Sequence, residues 1–165
     1  MNLIGQHNLL SQLYTAIDNG FPLFSVLVGC RGGGKKTIAH MIAQELNTTA
    51  IDVGISIADV RAMIVNSYKV KAPTTYIIAD ADKMSNEAKS ALLKVTEEPP
   101  NHCYFIMTLE NLSSMPSTIA SRASVYWQDR YLASELEEYA NQIGMPAIVY
   151  NFCDTAGDIM LLQPD

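Results

Sequence analysis

The stretch Leu23-Phe24-Ser25-Val26-Leu27-Val28-Gly29-Cys30-Arg31-Gly32-Gly33-Gly34-Lys35-Lys36-Thr37 decides how this chain folds. Leu23 to Val28 is an apolar run rich in strand formers, short enough for a strand buried on both faces. Behind it stands a glycine, four residues, then Gly34-Lys35, the frame of a phosphate-binding loop. From Lys35 to Leu46, Ile38, Ile42 and Leu46 recur with Ala39 and Ala43 on one helical side. Glycines in such a loop let backbone N–H groups turn inward around phosphate oxygens, and the helix N-terminus adds its positive end. A plain flexible turn needs one or two glycines and gains nothing from a lysine here. Gly29, Arg31, Gly32, Gly33, Gly34, Lys35, Lys36 and Thr37 are therefore the candidate anion-binding residues.

Working outward, the strand and helix order repeats. Upstream, Leu9, Leu10, Leu13, Ala16 and Ile17 fall at helical spacing between Gln6 and Asn19, with Asn19-Gly20 to end the helix. Downstream, the pattern predicts a strand over Ala50 to Val53 and a helix over Ile57 to Tyr68 entered through Ser56. Next come a strand over Thr75 to Ala79 and a helix over Asn86 to Glu97, entered through Ser85 and stopped by Pro99-Pro100. Tyr104 to Leu109 and Ser124 to Trp127 read as further strands, with a short helix around Pro116 to Ala120. Repeated βα units with apolar strands imply a parallel sheet covered by helices on both faces. Ser134-Glu135-Leu136-Glu137 reads as a capping box starting a helix to Gly144. This sets a soft boundary near Arg130, with a core over 1–130 and an appendage over 131–165, of which 147–165 is the least readable part.

Composition bounds the function. A chain of 165 residues with 48% hydrophobic and 17% charged residues forms one core, with a small appendage at most, and is not disordered. Its net charge of −6 denies it the broad cationic surface of a stand-alone nucleic-acid binder, so DNA contact is expected only indirectly, through partners. Cys30, Cys103 and Cys153 form no CxxC pair, and His7, His40 and His102 have no metal-like spacing; neither a disulfide framework nor a zinc module is suggested. A reducing, cytoplasmic setting fits. No apolar run approaches the roughly 18 residues that span a bilayer, and no membrane role is expected.

The loop departs from its frame at the next position. A Ser or Thr hydroxyl normally follows the lysine and ligates Mg2+, but Lys36 occupies that place and Thr37 comes one residue late. Either Thr37 takes over after a local shift or the ligand is lost; a helix step turns a side chain by about 100°, which favours loss. The second metal ligand belongs at the end of a later strand, and there Tyr76-Ile77-Ile78-Ala79-Asp80 supplies Ala79 before Asp80. Asp80 and Asp82 are then either solvated carboxylates capping the turn or a shortened remnant of a water-activating pair.

Ala81 to Ala88, Ala91-Leu92-Leu93-Lys94-Val95-Thr96-Glu97-Glu98-Pro99-Pro100 and Pro116-Ser117-Thr118-Ile119-Ala120-Ser121-Arg122 together resemble the sensor and arginine-finger region of bacterial sliding-clamp loaders, which are AAA+ proteins. Ile4-Gly5-Gln6 and Val60-Arg61 are similar to the same family, and its delta-prime type is the nearest match. The resemblance covers about Leu3 to Trp127. It implies a three-layer αβα P-loop NTPase fold, the RecA-like AAA+ core with a five-stranded parallel sheet, followed by a shortened lid remnant. Carried over by position, Lys35 contacts nucleotide phosphates, Ala79 and Asp80 stand on the Walker B pair, Glu110 stands on the sensor, and Arg122 is the finger that reaches a neighbour's ATP. Gly157-Asp158-Ile159-Met160 resembles the lid segment, with Met160 in place of its arginine.

The resemblance thus implies a DNA-replication subunit that sits among other clamp-loader AAA+ subunits and the sliding clamp. Lys36, Ala79, Glu110 and Met160 all fall at positions of hydrolytic chemistry, so turnover is not expected and Mg2+ is not expected as a cofactor. Two readings of the loop stay open: it holds ATP or ADP without turning it over, or Arg31, Lys35 and Lys36 form a basic patch on a vestigial loop. Two functions of other classes stay open as well, a weakly active stand-alone ATPase using Thr37 and Asp80, and a dead-site interaction module. Arg122, outside its motif, would be a surface arginine paired with a carboxylate such as Asp129.

Overall fold

The computed structural model describes residues 5–146 and 153–162. Ile4 and Leu3, where the family resemblance begins, and 147–152 and 163–165 of the C-terminal stretch lie outside the described residues. The chain runs α1 (His7–Asp18), β1 (Phe24–Val28), α2 (Lys35–Glu45), β2 (Thr49–Val53), α3 (Ile57–Ser67), β3 (Thr74–Ile78), α4 (Asn86–Ala91), α5 (Leu93–Glu97), β4 (Cys103–Leu109), α6 (Ser117–Ala120), β5 (Ser124–Trp127), α7 (Ala133–Gln142) and α8 (Ala156–Leu161). The five strands form one parallel sheet in the order β2-β3-β4-β1-β5. Helices cover both faces, so the expected three-layer α/β architecture is present.

Alternation along the strands sorts side chains into two cores. Leu27, Ile77 and Ile106 join Leu9 and Leu13 of α1 and Ile38 and Ile42 of α2 on one face. Val26, Val28, Ile78, Phe105 and Met107 pack with Val60 and Met63 of α3 and Leu92 on the other. Every residue of β1 and β3 is buried, as both-face coverage requires. The edge strands are less covered, and β2 is exposed along most of its length. Its Asp52 takes Lys36 at 2.9 Å and His40 at 3.0 Å, placing charge on an edge that would otherwise invite strand pairing.

Two local expectations need correction. The helix over Asn86 to Glu97 breaks at Leu92, whose N–H bonds to the Lys89 carbonyl three residues back, at 3.1 Å, in the tighter 3-10 manner. Lys89 itself is drawn inward and only 6% exposed, its ammonium donating to the Ser114 carbonyl at 2.8 Å. The second correction concerns α7, which starts at Ala133 instead of being capped by Ser134. The Glu135 carboxylate accepts the Leu132 N–H at 2.8 Å, so Leu132 is the N-cap and the glutamate alone closes the end. α7 and α8 share a small core of Leu136, Ala140, Cys153 and Ile159, distinct from the two sheet cores.

Among the described residues, no helix is long and apolar enough to cross a membrane. Because Ile106 is fully buried at the centre of the sheet, Ile106→Ala should lower the unfolding free energy by about 2–5 kcal/mol. Urea denaturation would read this as an earlier midpoint at unchanged slope.

Candidate functional site

The glycine loop leaves the C-terminal end of β1 between β4 and β5, where the strand order reverses and such sheets open a crevice. Gly29 N–H donates to the Leu109 carbonyl at 3.1 Å, fixing the start of the loop to β4. Gly32 and Gly34 hold φ of +75° and +80°, left-handed values at which a side chain would strain the backbone. Gly34 caps α2 with no side chain, and the first turn of α2 carries no acidic residue, so its N-terminal amides meet no anionic group of their own.

Lys35 is 7% exposed and folds back on the loop. Its ammonium donates to the carbonyls of Gly29 at 2.8 Å and Cys30 at 2.6 Å. Burial pulls its pKa below the ordinary lysine value, and Cys30, Glu110, Asp80 and Asp82 oppose that shift. The ammonium thus stands in the field of three carboxylates, where a bound phosphate would have to compete.

The structure gathers the predicted site residues unevenly. Thr37 borders a cavity of about 560 Å³ together with Gly32, Gly34, Tyr131, Tyr139 and Met160. Arg31 is exposed on the loop. Lys36 does not join the cradle's lysine; its ammonium is bound to Asp52 on the β2 edge, with both partners about half exposed. Asp80 sits in a left-handed turn with φ of +53°, its carboxylate held by Lys83 at 2.7 Å and its N–H donating to Thr108 Oγ1 at 3.0 Å.

Asp82, by contrast, is a structural brace. It accepts the Glu110 N–H at 2.8 Å, the Asn111 N–H at 3.1 Å and the Ser114 hydroxyl at 3.0 Å. Burial works to raise its pKa, but those donors outweigh it and hold the carboxyl below its usual range. Arg122 follows α6, far from the loop in sequence order, and its partner is not Asp129. It donates to the Thr118 carbonyl and, at 3.0 Å, to Glu97 of α5. Asp129 instead accepts from Asn8 at 3.2 Å.

Sequence reasoning missed the residues that hold the loop from outside. Gln128, one residue past β5, donates through its side-chain amide to the Gly33 carbonyl, and Tyr131 donates to the same oxygen at 3.1 Å. Gln128 Oε1 is buried beside Gly29 and Gly33 and, among the described residues, has no hydrogen-bond partner. Burial, with Cys30, Glu135 and Tyr139 nearby, pushes the Tyr131 phenol up to about 12, so it stays a donor at any physiological pH. Gly157 of α8 donates its N–H to the Gly32 carbonyl at 3.1 Å. A Cβ on Gly157 would stand 2.7 Å from that oxygen and 2.9 Å from the Gly32 Cα, so only glycine fits. Nothing in the spacing of Gln128 or Tyr131 signals these roles, which arise where the chain leaves the sheet.

Gln6 closes the site from the other end. It is 3% exposed, donates to the Asp129 carbonyl at 2.8 Å and accepts the Asp129 N–H at 2.9 Å.

Comparison with known proteins gives this geometry a context. Residues 54–128 match the family described as DNA polymerase III, delta subunit. The chain is 30% identical over 156 residues to DNA polymerase III subunit gamma of Buchnera aphidicola subsp. Schizaphis graminum, covering 73% of this chain and 42% of that protein. It is 26% identical over 178 residues to DNA polymerase III subunit tau of Escherichia coli K12, covering 86% of this chain and 27% of that protein. The chain therefore spans less than half the length of these curated relatives. Among solved structures, the RuvB Holliday junction branch migration motor of Thermotoga maritima superposes with a TM-score of 0.71 at 22% identity, over 89% of this chain and 55% of that one. A mutant RuvB from the same organism reaches a TM-score of 0.78 at 21% identity, over 97% and 62%. The chain thus shares the three-layer α/β fold of these structures, matches the delta-subunit family over 54–128, and is similar to the gamma and tau subunits of DNA polymerase III.

Two outcomes follow from these contacts. Gly157→Ala should force α8 off the glycine loop, so amide exchange in residues 155–161 quickens while the sheet strands keep their protection; unchanged exchange would show that the glycine contact holds nothing. Asp82 stabilises fully above the unfolded carboxylate pKa of about 4 and loses its effect as pH falls through its lowered folded value. The stability gap between the wild type and Asp82→Asn should therefore narrow on acidification below about pH 4, measured by urea unfolding across pH. A gap independent of pH would contradict the brace.

Proposed function

We propose that this chain is a delta-prime-like clamp-loader subunit that does not turn over nucleotide itself and lends Arg122 to an ATPase neighbour. The observation that carries the reading is the state of the phosphate end. Lys35 is folded onto the loop facing Glu110, Asp80 and Asp82, while the position after it is a lysine tied to Asp52.

Mg2+ does not fit the residues present. A divalent ion bridging β- and γ-phosphates needs a hydroxyl after the loop lysine and a carboxylate at the end of β3. Lys36 offers a cation and Ala79 a methyl group, and Asp80 is turned aside and neutralised by Lys83. Glu110 adds negative charge where the transferred phosphoryl would develop its own. No step of hydrolysis is therefore assigned to this site. ATP or ADP without metal remains the proposed ligand, its phosphates on the amides of the first turn of α2 and on Lys35, its base in the cavity beside Tyr131 and Tyr139. Residues 1–130 then act as the AAA+ core, and the lid begins within 131–165.

Arg122 suits a role in trans. A guanidinium carries five donors, always charged. Two of its contacts are internal, to Thr118 and Glu97, and its side chain is 38% exposed, leaving donors for a neighbour's phosphate. The partners on this reading are other clamp-loader AAA+ subunits and the sliding clamp, in cytoplasmic DNA replication, with DNA met only through the assembly.

In phosphate-release assays the purified chain should remain at background with ATP and Mg2+, and nucleotide binding by calorimetry should be the same with Mg2+ or with EDTA. When the chain is assembled with hydrolysing clamp-loader subunits, Arg122→Ala should cut the ATPase rate of the complex by about 10³-fold, the lower end of what such fingers contribute. Brisk turnover by the isolated chain, or a complex indifferent to Arg122, would refute the assignment.

A further inference from the structure

We propose that Cys30 and Cys153 form an oxidation-sensitive lock across the joint between the glycine loop and α8. Both thiols are free, and both line one cavity of about 500 Å³ that also touches Tyr131 and Leu136. The segments that carry them are already in contact. The Gly157 N–H reaches the Gly32 carbonyl at 3.1 Å, and a Cβ on Gly32 would stand 2.5 Å from Thr155 Oγ1. Cys30 lies two residues before Gly32 and Cys153 two residues before Thr155. Each cysteine is thus two residues of chain, about 7 Å when extended, from that contact, and the bond forms when the joint closes enough to bring the two Cα atoms to about 4.4–6.8 Å. The third cysteine stands apart, since Cys103 is fully buried in a sheet core with its thiol directed at the Ser67 carbonyl.

Exposure assigns the order of events. Cys30 is open to solvent and meets a small peroxide first, while Cys153, 8% exposed, waits behind it. The Cys30 thiolate attacks hydrogen peroxide; an S–O bond forms, the O–O bond breaks, and the departing hydroxide takes a proton to become water. The Cys153 sulfur then attacks the sulfur of the Cys30 sulfenic acid. The S–S bond forms, the S–O bond breaks, and the second hydroxide leaves as water with the remaining proton. In sum two thiols give two electrons and two protons to one peroxide, yielding a disulfide and two waters. Burial, with Asp158 and Asp154 beside it, raises the Cys153 thiol, which limits the thiolate available for the second attack. The product ties the lid helix to the loop covalently, fixing shut a joint that one hydrogen bond now holds. This rests on the cavity and the glycine contact and does not require nucleotide binding.

The test treats the intact protein with a small excess of hydrogen peroxide, alkylates the remaining thiols and maps peptides without reduction. The expected product joins the Cys30 and Cys153 peptides, lighter by two hydrogens than their sum, with Cys103 unmodified until the fold is opened. Cys30→Ser, a change at an exposed site, should abolish the cross-link and leave Cys153 a free thiol. Amide exchange in residues 155–161 should slow at least tenfold on oxidation and return with dithiothreitol. Sulfinic acid accumulating at Cys30, an intermolecular Cys30 dimer, or a cross-link without slower exchange would each overturn the proposal.

Discussion

Everything at the site depends on β1 being clamped on both sides. Its five residues pair with β4 through Phe24 to Val28 and with β5 through Ser25 to Val28, and all are buried. That confinement leaves the chain one direction in which to leave the sheet, upward into the crevice. The glycine loop is then shaped less by its own residues than by the donors around it. Lys35 takes two of its carbonyls, Gln128 and Tyr131 share a third, and Gly157 takes a fourth. Those partners fix the backbone of the loop from outside, while the Gly33 N–H closes it from within by donating to the Cys30 carbonyl at 3.3 Å.

Much of this was legible in the residues. The apolar run before Gly29 and the spacing of Ile38 and Ile42 located β1 and α2 because burial on both faces and helical periodicity leave strong marks. What escaped were contacts made by residues distant in sequence. Leu92 looked like the middle of a continuous helix, but its N–H bonds to the carbonyl of Lys89, a residue held inward by the distant Ser114 carbonyl. Ser134 looked like a cap because short polar residues usually are, yet Glu135 reached the Leu132 amide without it. Lys36 read as an addition to the phosphate cradle, but α2 turns it toward β2, where Asp52 stands. Gln128 carries no pattern of its own; its role follows from being the first side chain past an edge strand next to a glycine-rich loop.

The phosphate end and the finger share a physical theme. At Lys35 the surrounding carboxylates Glu110, Asp80 and Asp82 stabilise the ammonium and weaken its appeal to a triphosphate. At Arg122 a single carboxylate, Glu97, holds the guanidinium while leaving it part exposed. An exposed pair of this kind is worth little by itself, about 0–1 kcal/mol, so a phosphate arriving from another subunit can displace it at small cost. One cation is embedded in the chain's own negative field, and the other is lightly parked at its surface.

The Gln6 to Asp129 pair closes a loop of 123 residues, and this sets a timetable for the newborn protein. α1 rests on a core that includes Tyr126 of the last strand, so Leu9 and Leu13 have no finished surface to cover until that strand exists. At a synthesis rate of about 5–20 residues per second, the 123 residues that separate the two take roughly 6–25 s to add. For that interval the apolar side of α1 waits for the strand that completes its cover.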